Sequence, residues 1–292
     1  MKAPLTVVAY GKGGTGKSTV CAHLAASFAR SGRRVLLLGC DPKADSSLRL
    51  LGGERPATIV DMVTGLRGRR FTDLVSRARP GLDVLETGGP PPGQGCGGRS
   101  VATLCQYLEE NERELGAYDT LVFDVLGDLV CGGFVAPLRF GFGRDVYIVS
   151  SEETASLFAA NNIVRVAAEP YHQGVSVGGF VFNLRQNDAR REVLEAFAAR
   201  LGVPVAAVLP RDPAILESEE LGTTVFEHAP GAAAAERFDA LAKRVASRRG
   251  AVPGASARPM APDEFAAFVR ENRVYRAAAP AKAKAPARRT RR

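Results

Sequence analysis

The sequence predicts a doubly wound α/β domain on one mostly parallel sheet, and three observations carry that reading. Apolar runs alternate with amphipathic helical patterns along most of the chain, the order that yields parallel strands joined by crossover helices. Most of the runs are continuous rather than alternating, as in strands covered on both faces. A glycine-rich loop follows the first run and opens the first helical pattern, and ligands in such folds bind at the carboxyl ends of strands.

The predicted strands are 6–10, 34–38, 83–86, 120–125, 146–150, 178–182 and 204–209. Between them lie helical stripes such as Val101, Leu104, Cys105 and Leu108, at i, i+3, i+4 and i+7. No internal repeat and no linker interrupt the chain before Arg248. Residues 250–262 read as a loop. A short helix follows, with Asp263 and Glu264 in its first turn and Phe265, Phe268 and Val269 on one face. From Ala277 the pattern AAAPAKAKAPARRTRR cannot form a core and reads as disordered. The division expected is a single domain over 1–275 and a basic tail over 276–292.

Composition narrows the function classes. With 292 residues, 46% of them apolar, the chain can bury a large core. No apolar run approaches the roughly 18 residues that a membrane span needs. The chain enters a strand directly, without a signal peptide, so a cytoplasmic location is expected. There, the five cysteines read as ligands, core residues or redox groups rather than disulfides. The net charge of +8 is mostly local, since residues 276–292 hold seven Lys/Arg and no acid. Without them the balance is near neutral, ordinary for a folded enzyme. The tail reads as a solvated extension, with docking to an acidic partner or a nucleic acid as the sharper alternative.

The stretch GKGGTGKST, residues 11–19, carries the first chemistry. Strand, glycine loop, then Lys and Ser/Thr at a helix start form the phosphate cradle of P-loop nucleotidases. Backbone N–H groups of Gly11, Gly13, Gly14, Thr15 and Gly16 can converge on phosphate oxygens. Lys17 would neutralise the β/γ-phosphates, and the Ser18 hydroxyl, followed by Thr19, would ligate Mg²⁺. Lys12 is a second lysine directly after the first glycine. In this the loop resembles the deviant Walker A ATPases, which work as face-to-face dimers with that lysine reaching the partner's nucleotide.

Three further loops lie past strand ends. GCDPKADS (39–46) offers Asp41, Lys43 and Asp45, where carboxylates can hold Mg²⁺-bound water or orient an attacking water. FDVLGDLVCGGF (123–134) ends a strand at Asp124, a Walker-B-like carboxylate, and goes on to Asp128 and Cys131. Loss of a γ-phosphate there could shift whatever Cys131 holds. GGPPPGQGCGGRS (88–100) places Cys96 in a backbone open enough to pass close to a bulky group, with N–H groups able to bond sulfide. Cys21, Cys40 and Cys105 read instead as small buried residues. Two cysteines cannot complete an iron–sulfur cluster, but two chains can supply four. A [4Fe–4S] cluster between protomers, a zinc site at the same interface and an inert pair of thiols all remain open from the residues alone.

In order along the chain, GKGGTGKST, GCDPKADS, GCGGR, FDVLGDLVCGGF, AANNI (159–163) and PRD (210–212) resemble the nitrogenase iron protein family, from about residue 5 to about 275. That family comprises dinitrogenase reductase and the nitrogenase-like reductases. The resemblance implies a homodimer with one [4Fe–4S] cluster held by Cys96 and Cys131 of each subunit, and MgATP in each subunit. It also implies single-electron transfer to a separate catalytic component, with ferredoxin or flavodoxin as donor; no membrane partner is expected, and nucleic acid is not the favoured one. Lys12, Lys17, Ser18 and Thr19 match its phosphate and Mg²⁺ positions. Asp41, Lys43 and Asp45 match its first switch, and Asp124 and Asp128 its second. Asn183 and Pro210, Arg211 and Asp212 match positions near the adenine. Arg99 matches a docking-face arginine that some relatives ADP-ribosylate.

Three departures stand out: the segment GGFVAPLRFGFGRDVYIV after Cys131, Ser100 where those proteins have glycine, and the basic tail. All three are expected at or near surfaces a partner touches, which favours a partner other than ordinary dinitrogenase. The leading reading is the reductase of a methylthio-alkane (carbon–sulfur-cleaving) system; a true dinitrogenase reductase and a tetrapyrrole reductase component are the alternatives. From other classes, a partitioning or positioning ATPase without cluster and a metal-cofactor carrier of the same fold compete.

Overall fold

A computed structural model describes residues 3–61, 70–91, 94–127, 132–169, 174–187 and 190–272. Asp128, Cys131 and the tail therefore lie outside the described residues. Every apolar run becomes a strand: β1 (Leu5–Gly11), β2 (Val35–Cys40), β4 (Leu82–Glu86), β5 (Thr120–Leu126), β6 (Asp145–Ser150), β7 (Ser176–Asn183) and β8 (Val205–Leu209). Two more were not anticipated, β3 (Ser76–Arg79) and β9 (Val252–Pro253). The order is β3-β4-β2-β5-β1-β6-β7-β8, with β9 beside β7. All pairings are parallel except β3 with β4 and β9 with β7.

The chain leaves β1 toward β2 on one side and reaches β6 on the other. The crevice past the end of β1 is therefore the switch point where such sheets bind ligands. Register aligns the strand ends there. Gly11 is level with Leu126, and Gly39 is level with Asp124 on one side and Glu86 on the other.

Helices cover both faces because successive strand residues point to opposite sides. Val8, Tyr10, Leu36, Leu38 and Phe123 enter one apolar layer, beneath α2 (Gly97–Glu110), α3 (Thr154–Ala167), α4 (Arg191–Leu201) and α7 (Pro262–Glu271). Val7, Ala9, Val35, Leu37 and Val122 enter the other, beneath α1 (Lys17–Arg30) and α6 (Ala233–Ala246). Each Val, Leu or Phe side chain fully buried this way contributes roughly 1.5–3 kcal/mol.

The last helix docks as its stripe requires. Glu264 accepts from the N–H of Ala261 at 2.8 Å, capping the start of α7. Phe265 and Phe268 then meet the Phe197 ring with centroids 6.4 and 5.7 Å apart. Asn161, in the AANNI motif, fastens the preceding chain by accepting from the Met260 N–H (2.8 Å) and donating to its carbonyl (2.9 Å). Residues 250–262 are not wholly loop, since they include β9 and a 3-10 turn at Gly254–Ser256. The Gly254 N–H bonds the Val175 carbonyl at 2.9 Å and so ties this stretch to the sheet.

Candidate functional site

The glycine loop turns at Gly16, where φ is +80° and the side of the residue faces the Asn183 amide. A side chain there would be strained and would strike Asn183. The loop holds itself and its neighbours by backbone acceptors. Thr15 donates from N (3.2 Å) and Oγ1 (2.9 Å) to the Lys12 carbonyl. Asn183 donates to the Thr15 carbonyl at 2.8 Å, and Arg185 to that of Gly14 at 2.9 Å. The helix α1 starts at Lys17 with no acidic residue in its first turn, so its N–H groups and dipole present positive potential to an anion. Lys12 is half-buried beside it.

Lys17 forms a buried ion pair with Asp124, at 6% and 0% exposure. Burial is the largest influence on the Asp124 carboxyl and would raise it, but the Lys17 charge together with hydrogen bonds to the carboxylate holds the group below the usual carboxylate range. Burial correspondingly pulls Lys17 down, and the Asp124 charge and hydrogen bond, with the nearby Cys21 and Asp41, together leave it raised. The second carboxylate oxygen of Asp124 and the Ser46 hydroxyl are buried without a hydrogen-bond partner among the described residues. Hard oxygen donors left over beside a phosphate-type loop are the set that Mg²⁺ takes, so these residues fit MgATP. Asp41 accepts from the Lys43 N–H at 2.9 Å and closes its own turn, while Lys43 and Asp45 stay exposed.

A cleft of about 640 Å³ runs from the loop to the ends of β7 and β8, lined among others by Asn183, Pro210, Arg211, Asp212 and Glu219. Asn187 shapes it by pairing with the Arg211 backbone in both directions, at 3.0 and 2.8 Å. Asp212 has a local task too, since its carboxylate caps α5 (Pro213–Glu220) through the Ala214 N–H at 3.0 Å. Thr19 donates to Glu219 at 2.5 Å, and Arg49 donates to Thr19 at 2.6 Å and pairs with Glu219. This clasp joins the first helix, the chain after β2 and the cleft wall.

Cys96 is exposed at the N-cap of α2, and Arg99 is exposed in that helix's first turn. A helix start stabilises negative charge, which suits a ligating thiolate. Cys131 is outside the described residues, but the Gly132–Val135 turn directly after it is not. There Gly133 packs on the Gly98 backbone so closely that a Cβ would overlap it. The turn at Gly132–Val135 therefore meets the start of α2, and the Tyr10 hydroxyl at the end of β1 donates to the Phe134 carbonyl at 2.9 Å, so this contact lies at the same end of the sheet as the glycine loop. Cys21, Cys40 and Cys105 are buried. Burial raises the thiol pKa of Cys21 and Cys40 well above the usual value and pushes Cys105 up to about 12. Among the described residues, no three His, Cys, Asp or Glu side chains are grouped as metal ligands.

One expectation needs correction. Ser100 lies in α2 and is buried, so that departure concerns helix packing and not a partner surface. Phe140, in the departure after Cys131, is exposed at 37%. Sequence reasoning also passed over Arg49, Glu219, Asn187 and Glu86. The Glu86 carboxyl is fully buried, accepts from the Ser47 N–H at 2.7 Å, and is pushed up to about 7 by burial. Only its place at a strand end, three residues past Asp83, signalled it.

Comparison with known proteins agrees with this geometry. Among solved structures, the septum site-determining protein MinD of Pyrococcus horikoshii OT3, complexed with Mg-ADP, is 24% identical with a TM-score of 0.65, over 82% of this chain and 95% of that one. A ParA family ATPase from Chlorobium tepidum TLS is 19% identical with a TM-score of 0.64, over 82% and 98%. At such identities the likeness shows the fold, a P-loop nucleotidase sheet. The model of the 4Fe-4S iron sulfur cluster binding proteins, NifH/frxC family, matches residues 5–274. This chain belongs to the NifH/frxC family.

Proposed function

We propose that this protein is the ATP-dependent, electron-donating component of a two-part reductase, working as a homodimer. The observation that carries the reading is the approach of Gly133 to Gly98, which supports a common site for the loops of Cys96 and Cys131 beside a nucleotide loop. Cys96 and Cys131 of each protomer would together hold one [4Fe–4S] cluster, which supplies a single transferable electron. Lys17 and the loop amides would bind the ATP phosphates, and Ser18, Asp45 and Asp124 would hold Mg²⁺. Lys12 would reach the nucleotide of the opposite protomer, and Asp41 and Asp128 would orient the attacking water. Lys43 would follow the phosphates, with Asn183, Pro210, Arg211 and Asp212 lining the adenine. Arg99 would meet the catalytic partner. We assign that partner to a nitrogenase-like system cleaving carbon–sulfur bonds, supported by the unusual segment after Cys131 with Phe140 exposed. Ferredoxin or flavodoxin would refill the electron, and the basic tail, residues 276–292, would stand apart from the catalytic domain.

Anaerobic purification tests the reading. The expected product is brown, carries about four irons per dimer, shows an EPR signal on reduction, and loses both with Cys96→Ser while still binding ATP. A colourless protein that binds DNA with a steep salt dependence would overturn it in favour of a cluster-free partitioning ATPase.

A further inference from the structure

The loop after β2 is hung at both ends and wedged in its middle. At one end the Thr87 N–H bonds the Gly39 carbonyl at 2.9 Å. At the other, Glu86 takes the Ser47 N–H at 2.7 Å. Between them Pro42, flanked by Asp41 and Lys43, presses into the cysteine loop at two places. A Cβ on Gly89 would lie 2.8 Å from the Pro42 Cα and closer still to its Cβ, and a Cβ on Gly97 would overlap the Pro42 ring. Only glycine fits at either point. Gly97 adjoins Cys96, and its open side also faces the Phe134 ring, 3.6 Å from where a Cβ would stand. One proline ring thus bears on the residue after Cys96 and, across Gly97, on the segment after Cys131.

We propose that Pro42 is a positioning residue that transmits the nucleotide state of the 41–45 loop to the Cys96 loop. The inference rests on the function proposed above, because it needs ATP to move that loop. The physical reason is rigidity. A proline ring has one fixed φ and no room to fold away, and close-packed contacts shift together instead of deforming. Any displacement of Asp41 and Asp45 toward a bound phosphate must therefore carry Pro42 along, releasing or tightening Gly89 and Gly97. This path is separate from the one through Asp124 and Asp128. It acts on the other cysteine.

The test is millisecond amide hydrogen exchange on the full-length, as-isolated protein, comparing MgATP with MgADP and reading the amides of residues 94–99. In the wild type we expect the two nucleotides to differ by about threefold or more in exchange rate there. In Pro42→Ala the difference should shrink to less than half, with ATP affinity within about twofold by calorimetry. A merely structural proline would change exchange equally with both nucleotides and leave their difference intact. Gly97→Ala, which presses on the Pro42 ring from the other side, should alter the difference with the residues of the 41–45 loop themselves unchanged. A full nucleotide difference retained in Pro42→Ala overturns the wedge and leaves the proposed function standing. No difference in a wild type that binds ATP overturns the wedge and, with it, nucleotide control of the Cys96 loop.

Discussion

Gly133 rests on the backbone of Gly98, with no space for a Cβ between them. The contact joins the first turn of α2 to the Gly132–Val135 turn, between glycines 35 positions apart that each stand two residues beyond a cysteine. Gly133→Ala should force them apart, at a cost of about 1–3 kcal/mol from overpacking. We expect a lower Tm and iron content well under that of the wild type, with ATP binding retained. Normal iron content in a destabilised variant would show that the cysteines do not depend on this contact.

The Lys17–Asp124 pair holds the phosphate lysine in place by a buried charge. Asp124→Asn leaves that charge unpaired in a dry site, which costs about 3–5 kcal/mol. Urea titration without nucleotide should reveal the loss. Lys17→Gln removes the charge that phosphate needs, so ATP affinity should fall more than about tenfold while the proposed cluster should stay reducible.

His23 sets an acid limit on stability. It is fully buried, its Nδ1 lies 2.8 Å from the Thr19 carbonyl, its Nε2 accepts from the Val225 N–H at 3.1 Å, and its ring stacks on Phe238. Burial lowers its pKa to about 4. The unfolded chain therefore binds a proton below about pH 6.5 that the folded chain refuses until about pH 4. Stability is full above 6.5 and declines as pH falls toward 4, by up to roughly 3 kcal/mol. Denaturation curves at pH 7 and pH 4 should show this loss, and His23→Gln should remove most of the difference.

Asn161 gives the AANNI motif a structural task. Asn161→Ala would leave the buried Met260 N–H without its acceptor, while Arg165 still donates to the Met260 carbonyl at 2.6 Å. The expected cost is about 1–3 kcal/mol, read by chemical denaturation, with no change in ATP affinity.

Much of this molecule is written in short windows of sequence. The glycine loop, Lys17 at a helix start, and seven of the strands follow from local spacing and continuous apolarity, because backbone freedom, capping and two-sided burial act over a few residues. The α7 stripe of Phe265, Phe268 and Val269 was legible for the same reason. The strand β3 was not, since SRAR is an edge strand with no apolar signature: Arg77 faces solvent, and Arg79 is held by Glu227 and the Leu50 and Gly222 carbonyls, partners distant in sequence.

Only the tertiary structure decided which distant groups meet. Lys17 with Asp124, His23 with Val225, Arg49 with Glu219, and Pro42 between Gly89 and Gly97 depend on strand order and register across the sheet. No local pattern encodes those. By itself the sequence determined the parts and the end of the sheet where they gather. Folding decided their pairing, because desolvated charges and close backbone contacts exist only once β1, β2, β4 and β5 lie side by side.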